Sequence, residues 1–179
     1  YMTLAVSERA DLCQAALEAV RRHPPSRGRN GLAPLLTHLD KTATAGLTDL
    51  AHAVETVVRR SPRPGMLVVL SDFFDPGPVL SKLGHAVQAG HDVVLVQILA
   101  SEEVEPDFEG DWLLEDCETG DTVEMTLDGR ALDAYLARLD GLCEALRQFA
   151  RRHGATYVRV ETSDPLEPSV RRIVQRAID

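Results

Sequence analysis

Apolar and polar positions change rhythm along this chain, and each change marks an element. Residues 66–70, MLVVL, are continuously apolar, bounded by Pro62, Pro64 and Gly65 on one side and by Ser71 and Asp72 on the other. The run is far too short to cross a membrane and predicts a strand buried on both faces. Residues 92–99, DVVLVQIL, predict a second such strand. Between them Val79, Leu83, Ala86 and Val87 recur at helical spacing, after the turn Pro76-Gly77-Pro78 and before the stop at Gly90. Strand, helix and strand in this order form a right-handed crossover, so the two strands are expected as parallel neighbours.

Upstream, Leu47, Leu50, Ala51, Val54, Val57 and Val58 make one apolar stripe. Thr48 stands where an N-cap belongs, and Arg59 and Arg60 lie at the end that favours positive charge, so a helix is expected there. Leu32, Leu35, Leu36 and Leu39 predict another helix within 28–42, with Pro34 near its first turn, where proline is tolerated. The opening stretch has two readings. By propensity SERADLCQAALEAVRR is a helix with Cys13, Leu17 and Val20 on one face; a family resemblance described below favours strands instead.

Downstream, residues 112–117 and 122–126 flank Glu118-Thr119-Gly120-Asp121 and read as a hairpin with glycine in its turn. A long amphipathic helix follows, with Leu132, Leu136, Leu139, Cys143, Leu146 and Ala150 inward and Gly154 as its stop. Residues 156–160 predict a third short strand, and 168–177 a last helix burying Val170, Ile173 and Val174.

The length of 179 residues suits a single domain with one substantial core. A net charge of −9 argues against a nucleic-acid or anionic-membrane surface, and nothing in the sequence reads as a membrane span or a signal peptide. Cys13, Cys117 and Cys143 are odd in number and lack CxxC spacing, which fits free thiols in a reducing compartment and not a zinc site. Residues 101–128 hold twelve acids and no Lys or Arg. They lack the spacing of an EF-hand, so a solvated, self-repelling edge hairpin is expected. GxxxxGK[ST], GxGxxG and GxSxG motifs are absent. The six histidines lie singly, and none is assigned as a catalytic base.

Candidate chemistry gathers after the first buried strand, at Ser71, Asp72 and Asp75. In open parallel sheets, ligands sit just outside the carboxyl ends of the strands, which makes these acids candidates for binding or chemistry. An aspartate there also caps turns and helices, and both readings stand.

The combination of GLTDL opening a helix and a buried strand ending in SDFFD resembles the von Willebrand factor A-like fold, specifically the bacterial family known as domain of unknown function 58. The likeness continues through HDVVLVQIL, the DWLLEDCETGDTVEMT hairpin and ATYVRVETSDPLE. It implies a three-layer, mostly parallel, doubly wound sheet with an acidic hairpin insertion. Residues 1–9 would then end the family's first helix, 11–17 its second strand and 20–23 a short third one, so the chain would start after the family's first strand. A central strand missing there would leave two sheet edges open to pairing with a second copy.

Proteins of this fold can hold a divalent cation, usually magnesium, through three loops carrying Asp-x-Ser-x-Ser, a threonine and an aspartate. Thr48 matches the threonine and Asp72 the aspartate, whereas Asp-x-Ser-x-Ser is absent. The resemblance thus implies weak magnesium binding at Thr48 and Asp72 or none, with Ser71 and Asp75 meeting a partner. It implies a non-enzymatic protein interaction module, cytoplasmic and bacterial, acting with a MoxR-type AAA+ ATPase in assembly or maturation of protein complexes. Membrane association of the full-length protein is left open. The alternatives are a metal-dependent hydrolase or phosphoryl-transfer enzyme with Asp72 as ligand and Asp75 as base, and a structural domain with a vestigial site.

Overall fold

The structure is a computed structural model of the chain and describes residues 9–16, 20–42, 48–61, 63–107, 110–115 and 121–178. Two compact units are present, Tyr1–Arg60 with Glu115–Asp121, and Ser61–Leu114 with Thr122–Asp179.

In the first unit, β1 (Arg9–Ala10) pairs antiparallel with β4 (Ser26–Arg27), and β2 (Cys13–Gln14) with β3 (Arg21–Arg22). The helix that propensity favours over this stretch is therefore not formed at 9–16, and strands occur within both segments where the resemblance placed them. The chain reverses between β2 and β3, and the two antiparallel ladders win over local helix preference, which is a weak term; Pro24 and Pro25 lie beyond the reversal, between β3 and β4. The Asp11 carboxylate pairs with Arg9 at 3.1 Å and Arg22 at 2.9 Å and so joins the two ladders. Each half-exposed pair contributes under about 1 kcal/mol. Helix α1 (Leu32–Asp40) and helix α2 (Leu50–Arg60) follow. The cap of α2 is Asp49, whose Oδ1 accepts from the His52 N–H at 2.8 Å; Thr48 is exposed one residue before it.

The second unit is built on three parallel strands in the order β5 (Met66–Ser71), β6 (Asp92–Leu99), β9 (Thr156–Glu161). Helix α3 (Pro76–Gln88) is the crossover from β5 to β6. Next come the single turn α4 (Ser101–Val104) and a two-stranded sheet of β7 (Gly110–Glu115) and β8 (Thr122–Leu127). These are the strands read as the acidic hairpin; its turn and Cys117 lie outside the described residues. The long helix α5 (Gly129–His153) is capped by Asp128, which accepts from the Ala131 N–H at 2.8 Å, and ends at Gly154 with φ 65°, a conformation glycine adopts without strain. Helix α6 (Leu166–Ile178) closes the chain.

Strand register decides which side chains share a face. Val69, Leu95 and Tyr157 align on one face, and Val68, Val94 and Thr156 on the other. On the first, α5 reaches Gln97 through Cys143, and α5 packs on α3, where Phe149 and His153 close over Gly84. Leu83, Leu95, Leu99 and Leu146 are fully buried. On the second face α6 lies by β9, the Thr156 hydroxyl donating to the Arg176 carbonyl at 3.0 Å. Val170, expected inward on α6, is exposed, while Ile173 and Val174 are half-buried.

One expectation for β5 is corrected. Its apolar run is not buried on both faces: Met66, Val68 and Leu70 are 54%, 42% and 59% exposed, and only Val69 is fully buried. An apolar run reports strand propensity, but burial on both faces requires cover on both, and β5 is an edge strand bonded only to β6 among the described residues.

Leu95→Ala, which empties a fully buried site on the central strand, should cost about 2–5 kcal/mol in urea unfolding. Leu113→Ala, at a position 64% exposed on β7, should stay within about 0.5 kcal/mol of the parent.

Candidate functional site

The carboxyl end of β5 runs into a turn that the chain satisfies with its own side chains. Ser71 Oγ accepts from the Phe73 N–H at 3.0 Å and donates to Asp72 Oδ1 at 3.3 Å. Asp72 Oδ1 also accepts from the Phe74 N–H at 3.2 Å. The capping role of Asp72 is therefore realised by one oxygen, while Oδ2 has no partner among the described residues. Asp75 occupies the N-cap position of α3 without a side-chain cap bond, and its carboxylate is exposed.

Between the two acids, Phe73 sits at φ 60°, and it is the one non-glycine residue with positive φ among those described. For an L-residue this conformation costs about 1–2 kcal/mol. Burial of the Phe73 ring, 2% exposed, returns about 1.5–3 kcal/mol. The reversal sends the next ring outward, leaving Phe74 47% exposed.

The turn is anchored from below by Gln97, a fully buried side chain on β6. Its Nε2 donates to the Asp72 carbonyl at 2.9 Å; its Oε1 accepts from the Tyr157 hydroxyl at 2.6 Å and the Cys143 thiol at 3.4 Å. One amide thus ties the loop to β9 and α5. Burial pushes the Tyr157 hydroxyl above the usual tyrosine range, the Cys143 thiol adds to the rise, and Arg147 and Arg159 oppose it. Tyr157 therefore stays protonated and keeps donating. The sequence reading did not single out Gln97, although a lone polar residue inside DVVLVQIL is the signal that could have found it: an amide buried in a strand must find partners.

Ser71, Asp72 and Asp75 fall together in the second unit, and Thr48 belongs to the first. Within the loop only some oxygens are open to a cation. The Ser71 hydroxyl and Asp72 Oδ1 are already engaged with each other and with backbone N–H groups. That leaves Asp72 Oδ2 and the Asp75 carboxylate as the loop's open oxygens; magnesium is commonly held by one or two carboxylates with waters completing its octahedron. Among the described residues no group of three His, Cys, Asp or Glu is placed to hold a metal.

A parallel three-stranded sheet flanked by helices, with an acid-bearing turn at its carboxyl edge, defines an open α/β domain. The chain belongs to the family described as proteins of unknown function DUF58, whose model matches residues 1–140. An uncharacterised protein of Mycobacterium avium is 37% identical over 118 residues, 64% of this chain and 69% of that protein. An uncharacterised protein of Mycobacterium tuberculosis is 32% identical over 120 residues, 65% of this chain and 38% of that protein. Two solved structures share the fold at a TM-score of 0.55, each covering 96% of this chain. One is the conserved hypothetical protein BatB from Bacteroides thetaiotaomicron, 13% identical with 80% of that chain covered; the other is an aerotolerance-related membrane protein from Bacteroides fragilis, 14% identical with 79% covered.

Gln97→Leu should cost about 1–3 kcal/mol in chemical denaturation, because it strands the Asp72 carbonyl and the Tyr157 hydroxyl; amide exchange should rise first at residues 72–74. Alkaline stability follows from Tyr157. Its raised folded value means that its contribution is whole below the unfolded tyrosine value of about 10 and is lost as pH climbs toward the folded one. Unfolding midpoints should therefore fall with pH above that point, and fall less steeply in Tyr157→Phe.

Proposed function

We propose that this chain is a non-enzymatic protein interaction module whose contact surface is the loop at Ser71, Asp72 and Asp75. One observation carries the reading: the loop is fixed from within by Gln97 and by its own Ser71 and Asp72 bonds, yet presents Asp72 Oδ2, the Phe74 ring and the Asp75 carboxylate outward. A contact ordered before binding loses little entropy when a partner arrives.

The partner in this reading is a MoxR-type AAA+ ATPase, and the role is assembly or maturation of protein complexes. It places the domain in a reducing, cytoplasmic setting, supported by the free thiols of Cys13 and Cys143. One fold neighbour is called an aerotolerance-related membrane protein, so the work is proposed to occur near a membrane. No described helix is long and apolar enough to cross one.

The test is affinity for a purified MoxR-type ATPase of the source organism, measured by biolayer interferometry with the parent chain and with Asp72→Asn and Asp75→Asn. Saturable binding, weakened about tenfold or more in the variants, is the expected result. Absence of binding, or binding indifferent to both substitutions, overturns the proposal.

A further inference from the structure

The histidines are scattered in the sequence, but folding brings two of them into contact. His23, just after β3, and His38, in the last turn of α1, lie with ring centroids 4.7 Å apart and planes tilted by 54°. Both rings are half-buried, and both belong to the first unit. With metal–nitrogen bonds of about 2.0–2.1 Å, two imidazoles on one tetrahedral or octahedral cation have centroids about 4.5–5.2 Å apart. The observed spacing falls in that range.

A second, independent observation is the hydrogen bond behind the His23 ring. Its Nδ1 lies 2.7 Å from the Pro24 carbonyl oxygen. A carbonyl only accepts, so Nδ1 carries the hydrogen, and in the neutral ring Nε2 carries the lone pair. Metal-ligating histidines are oriented in this way, the N–H turned from the metal donating to a carbonyl or carboxylate. The His38 carbonyl accepts from Thr42 Oγ1 at 2.9 Å, but its ring has no hydrogen-bond partner among the described residues. Its ligating nitrogen is therefore open as well.

The surroundings of the pair are those that gain from a cross-link. The four strands of the first unit have two residues each, and no residue of α1 is buried. Small units short of apolar core are commonly held by a disulfide or a metal. An ion shared by His23 and His38 would tie the β3–β4 connection to α1 and stabilise the folded form by binding it alone. No third His, Cys, Asp or Glu joins the two among the described residues, so water would complete the coordination.

We propose that His23 and His38 form a two-histidine site for a divalent transition cation of the zinc class, with His23 ligating through Nε2. Imidazole suits zinc, nickel and copper, whereas magnesium takes oxygen. The site is independent of the loop after β5 and of the role proposed for it.

The experiment is a zinc titration of the metal-free, untagged, isotope-labelled chain, followed in long-range proton–nitrogen NMR spectra of the histidine rings, with magnesium as the control. Before zinc is added, the His23 ring should show the tautomer protonated at Nδ1. Zinc should then shift the His23 and His38 rings saturably at one ion per chain, ahead of His52, His85, His91 and His153, and slow amide exchange across residues 23–38. Magnesium should leave both rings unmoved. His23→Gln and His38→Gln should each weaken zinc binding about tenfold or more. His85→Gln, at an exposed position on α3, should leave it unchanged. The His38 side chain makes no hydrogen bond among the described residues, so His38→Gln keeps the fold, and its zinc-free spectrum verifies it.

Zinc shifts spread evenly over all the histidine rings, zinc binding unchanged in His38→Gln, one ion bridging two chains, or no saturable shift at either ring would each overturn the proposal.

Discussion

The hydrogen bonds of the Gln97 amide are the constraint on which the second unit depends. An amide buried in a β-strand costs about 1–3 kcal/mol unless its polar atoms are paired, and here the pairing is distributed. The donor goes to a loop carbonyl, and the acceptor oxygen to a tyrosine on the neighbouring strand and a cysteine on the covering helix. Each contact therefore requires the others. If β9 shifted in register, Tyr157 would leave; if α5 rotated, Cys143 would leave; if the loop opened, the Asp72 carbonyl would be lost. No buried side-chain nitrogen or oxygen among the described residues lacks a partner, so each atom of this network is paired, the condition under which a polar core rigidifies a fold instead of weakening it.

The apolar packing around the network explains why the amide can sit there. Leu95 and Leu99 flank Gln97 along the same face of β6, and Leu139 and Cys143 of α5 cluster with Leu99. Water is kept from the amide, which strengthens its bonds and raises the Tyr157 hydroxyl. At the β5 edge of the sheet the situation is reversed. β5 offers Val69 to the core and turns Met66, Val68 and Leu70 outward, so it contributes its backbone ladder and one side of its apolar surface.

Elements with a strong period and a clear stop were legible in the residues alone. α3 with Gly90, α5 with Gly154, and the strands β6 and β9 appear where pattern and stops put them. What depends on distant neighbours was not. MLVVL reads as a strand, but its exposure follows from sheet order, which no local pattern encodes. The helix reading of 7–22 failed at Cys13 and Arg21 because propensity is a weak term beside the antiparallel pairing of 9–10 with 26–27 and 13–14 with 21–22. Of the site, Ser71, Asp72 and Asp75 stood out as acids and a hydroxyl after a strand, whereas the left-handed Phe73 carries no sequence mark, since phenylalanine ordinarily avoids that conformation.

The strain at Phe73 and the pairing at Gln97 are two halves of one arrangement. A turn containing glycine could reach the same φ without cost, but it would lack the buried ring that holds the loop down. Phenylalanine accepts the backbone penalty and offsets it by burial, and Gln97 grips the carbonyl immediately before it. The result is a loop rigid on its inner side and unsatisfied on its outer side, where Asp72 Oδ2, Phe74 and Asp75 face solvent. Fold alone does not specify function, because open α/β sheets host many. An ordered loop that retains unused hydrogen-bonding capacity and an exposed ring at the carboxyl edge is a different matter: its free energy of folding has already been spent on shape, and what remains is available to a partner.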